Sequence, residues 1–197
     1  MEGKAIRIIE DEHRSLAAVL NGLCTVAREV REGRMPVDPD LLQAMVDYIR
    51  EFPERLHHPK EDGHLFRLVR ARTPELSPVL LALAGEHVRG GELLGRVGAA
   101  LSGFRAGQAP FGALADAIRA YAELEWSHMR TEEEQILPAA RRSFTPADWS
   151  EVDAAFGANV DPLAGMDPRR ELRELFRRIT ALAPAPIGVG PAGRRGG

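Results

Sequence analysis

The chain has a single cysteine, Cys24. One thiol cannot close an internal disulfide, so the fold must stand on its apolar core, and a reducing cytosol is the expected compartment. Long apolar runs are missing as well: charges interrupt the N-terminal stretch MEGKAIRIIEDEH. Neither a signal peptide nor a membrane-crossing helix is expected. Net charge is small, −3 over 197 residues, which gives nucleic acid and anionic membranes no handle. No strand-like alternation occurs, and there is no phosphate loop, nucleotide fingerprint or catalytic triad. What is there is an all-α pattern, 44% hydrophobic and 28% charged, in a chain long enough to bury a core as a soluble domain.

A first helix is expected from about Lys4 to Glu32, with Ile6, Ile9, Leu16, Leu20, Leu23 and Val26 on its buried stripe and Gly33 as its stop. Cys24 falls on that stripe and reads as a small core residue. Asp38-Pro39 opens a second helix to about Arg72. Pro53 and Pro59 lie inside it, and each removes a backbone donor and should kink or break it. A third helix should run from about Pro78 to Ala106. It carries Gly85, Gly90, Gly91 and Gly95, whose usual benefit is space for a neighbour or a cavity. A fourth runs from about Phe111 to Arg142, with a bend at Pro138. Thr145-Pro146-Ala147-Asp148 opens a shorter helix ending near Gly157. Asp167-Pro168 opens a last one to about Leu182, where Leu172, Leu175, Phe176 and Ile179 lie beneath arginines suited to docking or dimerising. The expected architecture is an up-down-up-down four-helix bundle over residues 1–142 with two short C-terminal helices. The extension over 143–183 packs on the bundle, and a flexible tail covers 184–197.

The chemistry concentrates in FPERLHHPKEDGHLF, Phe52 to Phe66. His57 and Glu61 are four apart, so they share one helix face. The pattern returns 71 positions later at His128 and Glu132. Each pair follows a Glu-His on the preceding helix, Glu12-His13 and Glu86-His87. This weak internal repeat predicts a pseudo-twofold bundle whose two ligand sets meet in the middle. Imidazole suits iron, zinc and copper, and carboxylate oxygens suit harder ions and can bridge two of them. Facing HxxxE helices can hold two metals in this way. Glu61 and Glu132 are assigned as bridges, His13 and His57 to one metal, and His87 and His128 to the other. A bridging oxo or hydroxo group would meet the remaining charge. Glu10, Glu12, Asp62, Glu86, Glu125 and Glu133 are candidates to orient imidazoles from behind, with solvated helix surface as the plain alternative for each. His64 lies about 10 Å along the axis from His57, too far for the same metal. Tyr121 and Trp126 read as packing residues, Tyr121 within reach of the cavity.

Taken in order, EH at His13, HHPKED from His57 to Asp62, EH at His87 and HMRTEE from His128 to Glu133 resemble the four helix motifs of the hemerythrin-like HHE cation-binding family, over roughly residues 1–142. PADWSEVDAAFGAN and LFRRITALAP resemble the tail of a bacterial subgroup of hemerythrin domain-containing proteins. The resemblance implies a four-helix bundle with a non-haem di-iron centre. Such proteins bind dioxygen, sense oxygen or iron, or act on nitrogen-oxide damage and peroxides. Oxygen-carrying hemerythrins have a further histidine four residues after the one on the third helix, and here that position is Gly91. One metal therefore lacks a ligand and holds water, or takes His58 in its place. Some family members carry a carboxylate ligand at the position of His58. Otherwise His58 is an orienting donor or the partner of an acid. A reversible oxygen carrier gives way to redox, sensing or iron-handling roles.

The expected metal set is His13, His57, His58, Glu61, His87, His128 and Glu132, holding two oxo- or hydroxo-bridged irons, with zinc or manganese as alternatives. The function expected is a cytoplasmic di-iron protein that binds or senses dioxygen, nitric oxide, peroxide or iron itself, as a monomer or homodimer. Binding is favoured over catalysis. As an enzyme it would be a di-iron oxidoreductase, turning over peroxide or repairing iron under nitrosative stress, with an open channel beside Gly90 and Gly91. The other alternative is a structural or regulatory bundle, zinc-bound or metal-free.

Overall fold

The computed structural model describes residues 3–158. Among these residues every regular element is helical, and the segments join into five helices. The first, Lys4–Arg31, buries Ile6, Ile9, Leu16, Leu20, Leu23 and Val26 as its stripe requires. Gly33 ends it with φ +70°. The Gly33 N–H bonds to the Val30 carbonyl at 3.1 Å and the Arg34 N–H to the Glu29 carbonyl at 2.9 Å, which is a Schellman cap built on the left-handed residue. At the other end, Gly3 has no side chain to cap the helix, and Asp153 of the fifth helix accepts the Ala5 N–H at 2.7 Å instead.

The second helix, 39–72, starts where Asp38 accepts the Leu41 N–H at 2.9 Å. It neither breaks nor ends at its prolines. It widens into π-helical turns at Arg50–His57, around Pro53, and again at Glu61–Phe66, just after Pro59. A wider turn bonds i to i+5, so the chain stays helical where a proline has removed an ordinary donor. The third helix, Ser77–Arg105, follows a 3₁₀ turn at Pro74–Leu76. The fourth, 111–143, passes through a π stretch at Glu132–Ile136, immediately before Pro138. The fifth is Pro146–Gly157. The last helix and tail expected from the sequence lie outside the described residues.

The first helix packs on the second, fourth and fifth, and the third packs on the second and fourth. Two apolar clusters form, with a polar layer between them along each of these four helices. Ile6 and Ile9 belong to one cluster and Leu16 and Leu20 to the other, with Glu12 and His13 between. The second helix runs from Phe52 through His57, His58 and Glu61 to Leu65, so it crosses the clusters in the reverse order. The third runs from Leu83 through His87 to Leu93, and the fourth from Ala122 through Glu125, His128 and Glu132 to Ile136. The fifth helix closes one end with Trp149, Val152 and Phe156.

That end is fastened by a capping box. The Thr145 N–H bonds to Asp148 Oδ2 at 2.8 Å, and the Asp148 N–H bonds to Thr145 Oγ1 at 3.3 Å. Arg72 at the end of the second helix donates twice to the same Asp148, at 2.8 and 2.9 Å. Thr145→Ala removes half of the box and is expected to lower stability by about 1 kcal/mol. Urea unfolding of metal-free protein measures it, and an unchanged midpoint would refute the role of the cap.

Candidate metal centre

Both HxxxE motifs place their glutamate at the first residue of a π stretch, Glu61 in Glu61–Phe66 and Glu132 in Glu132–Ile136. Both carboxylates are 0% exposed. His13, His57, His58, His87 and His128 surround them, all buried.

The two carboxylates are shared between two histidine pairs. Glu61 Oε1 lies 2.9 Å from His57 Nε2 and 3.9 Å from His13 Nε2, while its Oε2 lies 3.4 Å from His87 Nε2. Glu132 Oε2 lies 3.3 Å from His13 Nε2, and its Oε1 lies 3.3 Å from His128 Nε2. His87 and His128 face each other through Nε2 at 3.0 Å. Two groups have ligand atoms within 4.8 Å of one another: His13, His57 and Glu61, and His58, Glu61, His87 and His128.

Behind each imidazole stands another carboxylate. Nδ1–H donates from His57 to Glu12 at 2.6 Å, from His128 to Glu86 at 3.1 Å, from His87 to Asp62 at 3.1 Å and from His13 to Glu133 at 2.9 Å. The pattern obeys the repeat. Glu12 and Glu86, each just before the first histidine of its half, hold the second histidine of the same half. Asp62 and Glu133, each just after the glutamate of its half, reach across to the other half. These bonds fix the tautomer and leave every Nε2 lone pair pointing inward, the arrangement used behind metal-bound histidines. Four of the six acids considered from sequence fill this place. Glu10 does not; it pairs with Arg141 at 2.8 Å.

The inward atoms are short of partners. His13 Nε2, both oxygens of Glu61 and both of Glu132 are buried without a hydrogen bond. Such atoms cost free energy unless a cation meets them, and the donor set of imidazole and carboxylate suits a first-row transition metal. In the metal-free chain, protons supply the positive charge. Burial opposes ionisation of His57, His87 and His128, but Glu61, Glu132, Glu12 and Asp62 outweigh it and raise them to about 9, about 10 and about 9. His13 is raised as well, against burial, by Glu132, Glu133 and Glu61. Burial likewise opposes ionisation of Glu61, and the adjacent imidazoles hold it well below the usual carboxylate range.

His58 differs from the other four. Burial, reinforced by the neighbouring His87, pushes it below the ordinary imidazole value. Its Nδ1 lies 3.8 Å from Glu54 and its Nε2 3.8 Å from Glu125. Glu54 is the residue missed as a neighbour of this site, and Tyr121 O–H donates to it at 3.2 Å. The signal was available, because the repeat unit is ExxHxxxE, with Glu54 and Glu125 each three residues before the histidine. Burial pushes the Glu125 carboxyl up to about 7. The two carboxylates fill the space expected to be a channel: a Cβ on Gly90 would lie 2.9 Å from Glu125 Oε1 and 3.5 Å from Glu54 Oε1. His64 stands apart at 39% side-chain exposure and binds Glu151 at 2.8 Å. A cleft of about 340 Å³ opens elsewhere, lined by Cys24, Arg28, Arg31, Ala115 and Arg119. Burial pushes the Cys24 thiol there up to about 11, so it is no nucleophile.

Comparison with known families gives one match. The model of the hemerythrin HHE cation binding domain covers residues 4–140. Searches of curated proteins and of solved structures return no match.

The raised imidazoles set a pH dependence. An unfolded histidine titrates near pH ~6.5, so the stability contributed by His57, His87 and His128 is complete below that pH. It is lost as pH rises through about 9 to 10. Metal-free protein is therefore expected to unfold at lower temperature at alkaline pH than at neutral pH. Metal-loaded protein, whose ions replace those protons, is spared that loss. Thermal unfolding with and without chelator checks this, and a flat metal-free profile over that range would refute it.

Proposed function

The chain belongs to the hemerythrin HHE cation-binding family, and on that premise we propose that it is a non-haem di-iron protein. His13 and His57 hold one iron, His87, His128 and His58 hold the other, and Glu61 and Glu132 bridge them. The observation that carries this reading is the division of each carboxylate, one oxygen toward each histidine pair. A structural role alone leaves four such oxygens without hydrogen bonds at 0% exposure, which a folded protein avoids.

The four long helices form an up-down-up-down bundle in this reading. The support is the alternating order in which successive helices cross the two apolar clusters. The bundle takes 1–142, with the fifth helix, Pro146–Gly157, as an extension on it, in a cytoplasmic protein.

The chemistry such a pair supplies is reversible electron exchange with a small ligand such as dioxygen, nitric oxide or peroxide. The chain's own residues bind, orient and exclude water. Glu12, Glu86, Asp62 and Glu133 keep each imidazole in one tautomer. Phe66 stacks on His87 at 5.5 Å between centroids, and Phe156 meets His57 edge-on at 5.9 Å, so bulk water is kept from both histidine pairs. The role is to bind or sense such a ligand, or iron itself. No described feature favours turnover or a zinc-filled structural site over this reading.

Elemental analysis and an absorption spectrum of aerobically purified protein test the proposal. Two irons per chain are expected, with near-ultraviolet absorption from a ferric pair. Replacing both Glu61 and Glu132 by Gln is expected to abolish stoichiometric iron. A double variant that keeps two irons would overturn the bridging assignment, and wild-type protein that takes up no iron would overturn the whole reading.

A further inference from the structure

The two histidine pairs have unequal surroundings, and the inequality lies at residues that the repeat makes equivalent. The position after His57 is His58, and the position after His128 is Met129. The extra imidazole stands on the side of His87 and His128: its ring stacks on His87 at 4.3 Å between centroids and meets His128 at 5.6 Å. Beside it are Glu54 and Glu125, the repeat-related acids. They are not equivalent in space either. Glu54 is 16% exposed and faces the outward Nδ1 of His58, whereas Glu125 is 2% exposed and faces the inward Nε2.

We propose that Glu125 is a direct ligand of the second metal position, where it joins His58, His87 and His128. This rests on the di-metal reading above. Glu125 Oε2 is buried and has no hydrogen-bond partner among the described residues, and neither has His58 Nδ1 on the opposite side of the ring. The distance from Glu125 Oε2 to His58 Nε2 is 3.8 Å. Two donors each about 2.1 Å from one ion stand at most about 4.2 Å apart, so this pair fits around a single cation. It is too wide for a hydrogen bond, which is the competing use of the pair.

Gly90 is the second support. A Cβ there would sit 2.9 Å from Glu125 Oε1, so the third helix offers the carboxylate a notch at the one residue where a side chain would push it. Gly91 next to it faces Glu54 Oε2, 3.6 Å from an added Cβ. Tyr121 holds Glu54 by its other oxygen at 3.2 Å. Glu54 stands 3.8 Å from the outer Nδ1 of His58 without a hydrogen bond to it, whereas Glu12, Glu86, Asp62 and Glu133 bond the other four imidazoles. Glu125 is left facing inward. It adds negative charge to one metal position only, so the two positions differ in affinity and in electronic environment.

Cobalt(II) titration of metal-free full-length protein, read by visible d–d absorption, tests this. Wild type is expected to take two equivalents. In Glu125→Gln one equivalent weakens by about tenfold or more and its d–d bands shift, because an anionic donor has left the ion. Glu51→Gln, at a surface carboxylate paired with Arg55 at 2.8 Å, is expected to leave the bands in place. Gly90→Ala keeps every charge but crowds the carboxylate, and the same band shift is expected there. Circular dichroism and unfolding midpoints of the metal-free variants establish that they fold. Two bound equivalents with wild-type bands in both Glu125→Gln and Gly90→Ala would overturn the Glu125 assignment alone. Wild type that binds no cobalt would overturn the metal reading beneath it.

Discussion

Two carboxylates without access to water decide how the rest of this molecule is built. Glu61 and Glu132 are 0% exposed, and an unpaired ion in such a place costs several kcal/mol. Positive charge has to reach them from within, and the chain brings it on imidazole, the one side chain that can carry a proton or yield that place to a metal near neutral pH. Four imidazoles then need acceptors of their own, which are Glu12, Asp62, Glu86 and Glu133. Three acids of this second ring stand nearer the surface: Glu133, Asp62 and Glu86 have side-chain exposures of 48%, 44% and 32%, while Glu12 is buried. Charge alternates from the centre outward. Taking out any one ring leaves buried charge uncompensated in the next, so the polar layer is held or lost as a unit.

Much of this was legible in the sequence because it depends on spacing. Helix starts follow from Asp38-Pro39 and from Thr145 with Asp148, whose side chains satisfy backbone donors locally. The histidines and bridging-type glutamates follow from i to i+4 geometry repeated after 71 positions, and the family match over 4–140 agrees with the family resemblance of the motifs. The missing parts share one physical cause. Helical periodicity assumes a constant turn, and the turn widens at Arg50–His57, Glu61–Phe66 and Glu132–Ile136. Pro53 and Pro59 signal a disturbance without saying whether the helix will bend, end or widen. Once the turn widens, a face computed at 3.6 residues per turn no longer says where Glu54 points. The acids behind the imidazoles were visible only as a set, since which carboxylate meets which ring depends on contacts between helices.

The internal repeat explains the order of the site and also where that order stops. Glu54, His57 and Glu61 correspond to Glu125, His128 and Glu132, yet His58 corresponds to Met129 and Gly91 has no donor to offer. A twofold scaffold with one-sided decoration gives its two histidine pairs unequal surroundings. For any role in which a small ligand meets one ion before the other, that inequality is the useful property, and it comes from residues that flank the motif.

The π stretches carry a further consequence, which concerns chain length. A π turn holds one residue more than the α turn it replaces. Were the same residues of 61–66 wound as an ordinary α-helix, everything beyond them would turn by roughly 100°. Leu65, Phe66, Leu68 and Val69 would then leave the apolar cluster they share with Ile6, Ile9 and Phe156. The metal layer and the apolar layer of one helix are in this sense geared together with an offset of one tooth. Chains built on this pattern are expected to vary in length in the connections at 32–38, 73–76 and 106–110, and a chain one residue shorter just past the glutamate is expected to wind that stretch as α-helix and keep the same apolar face.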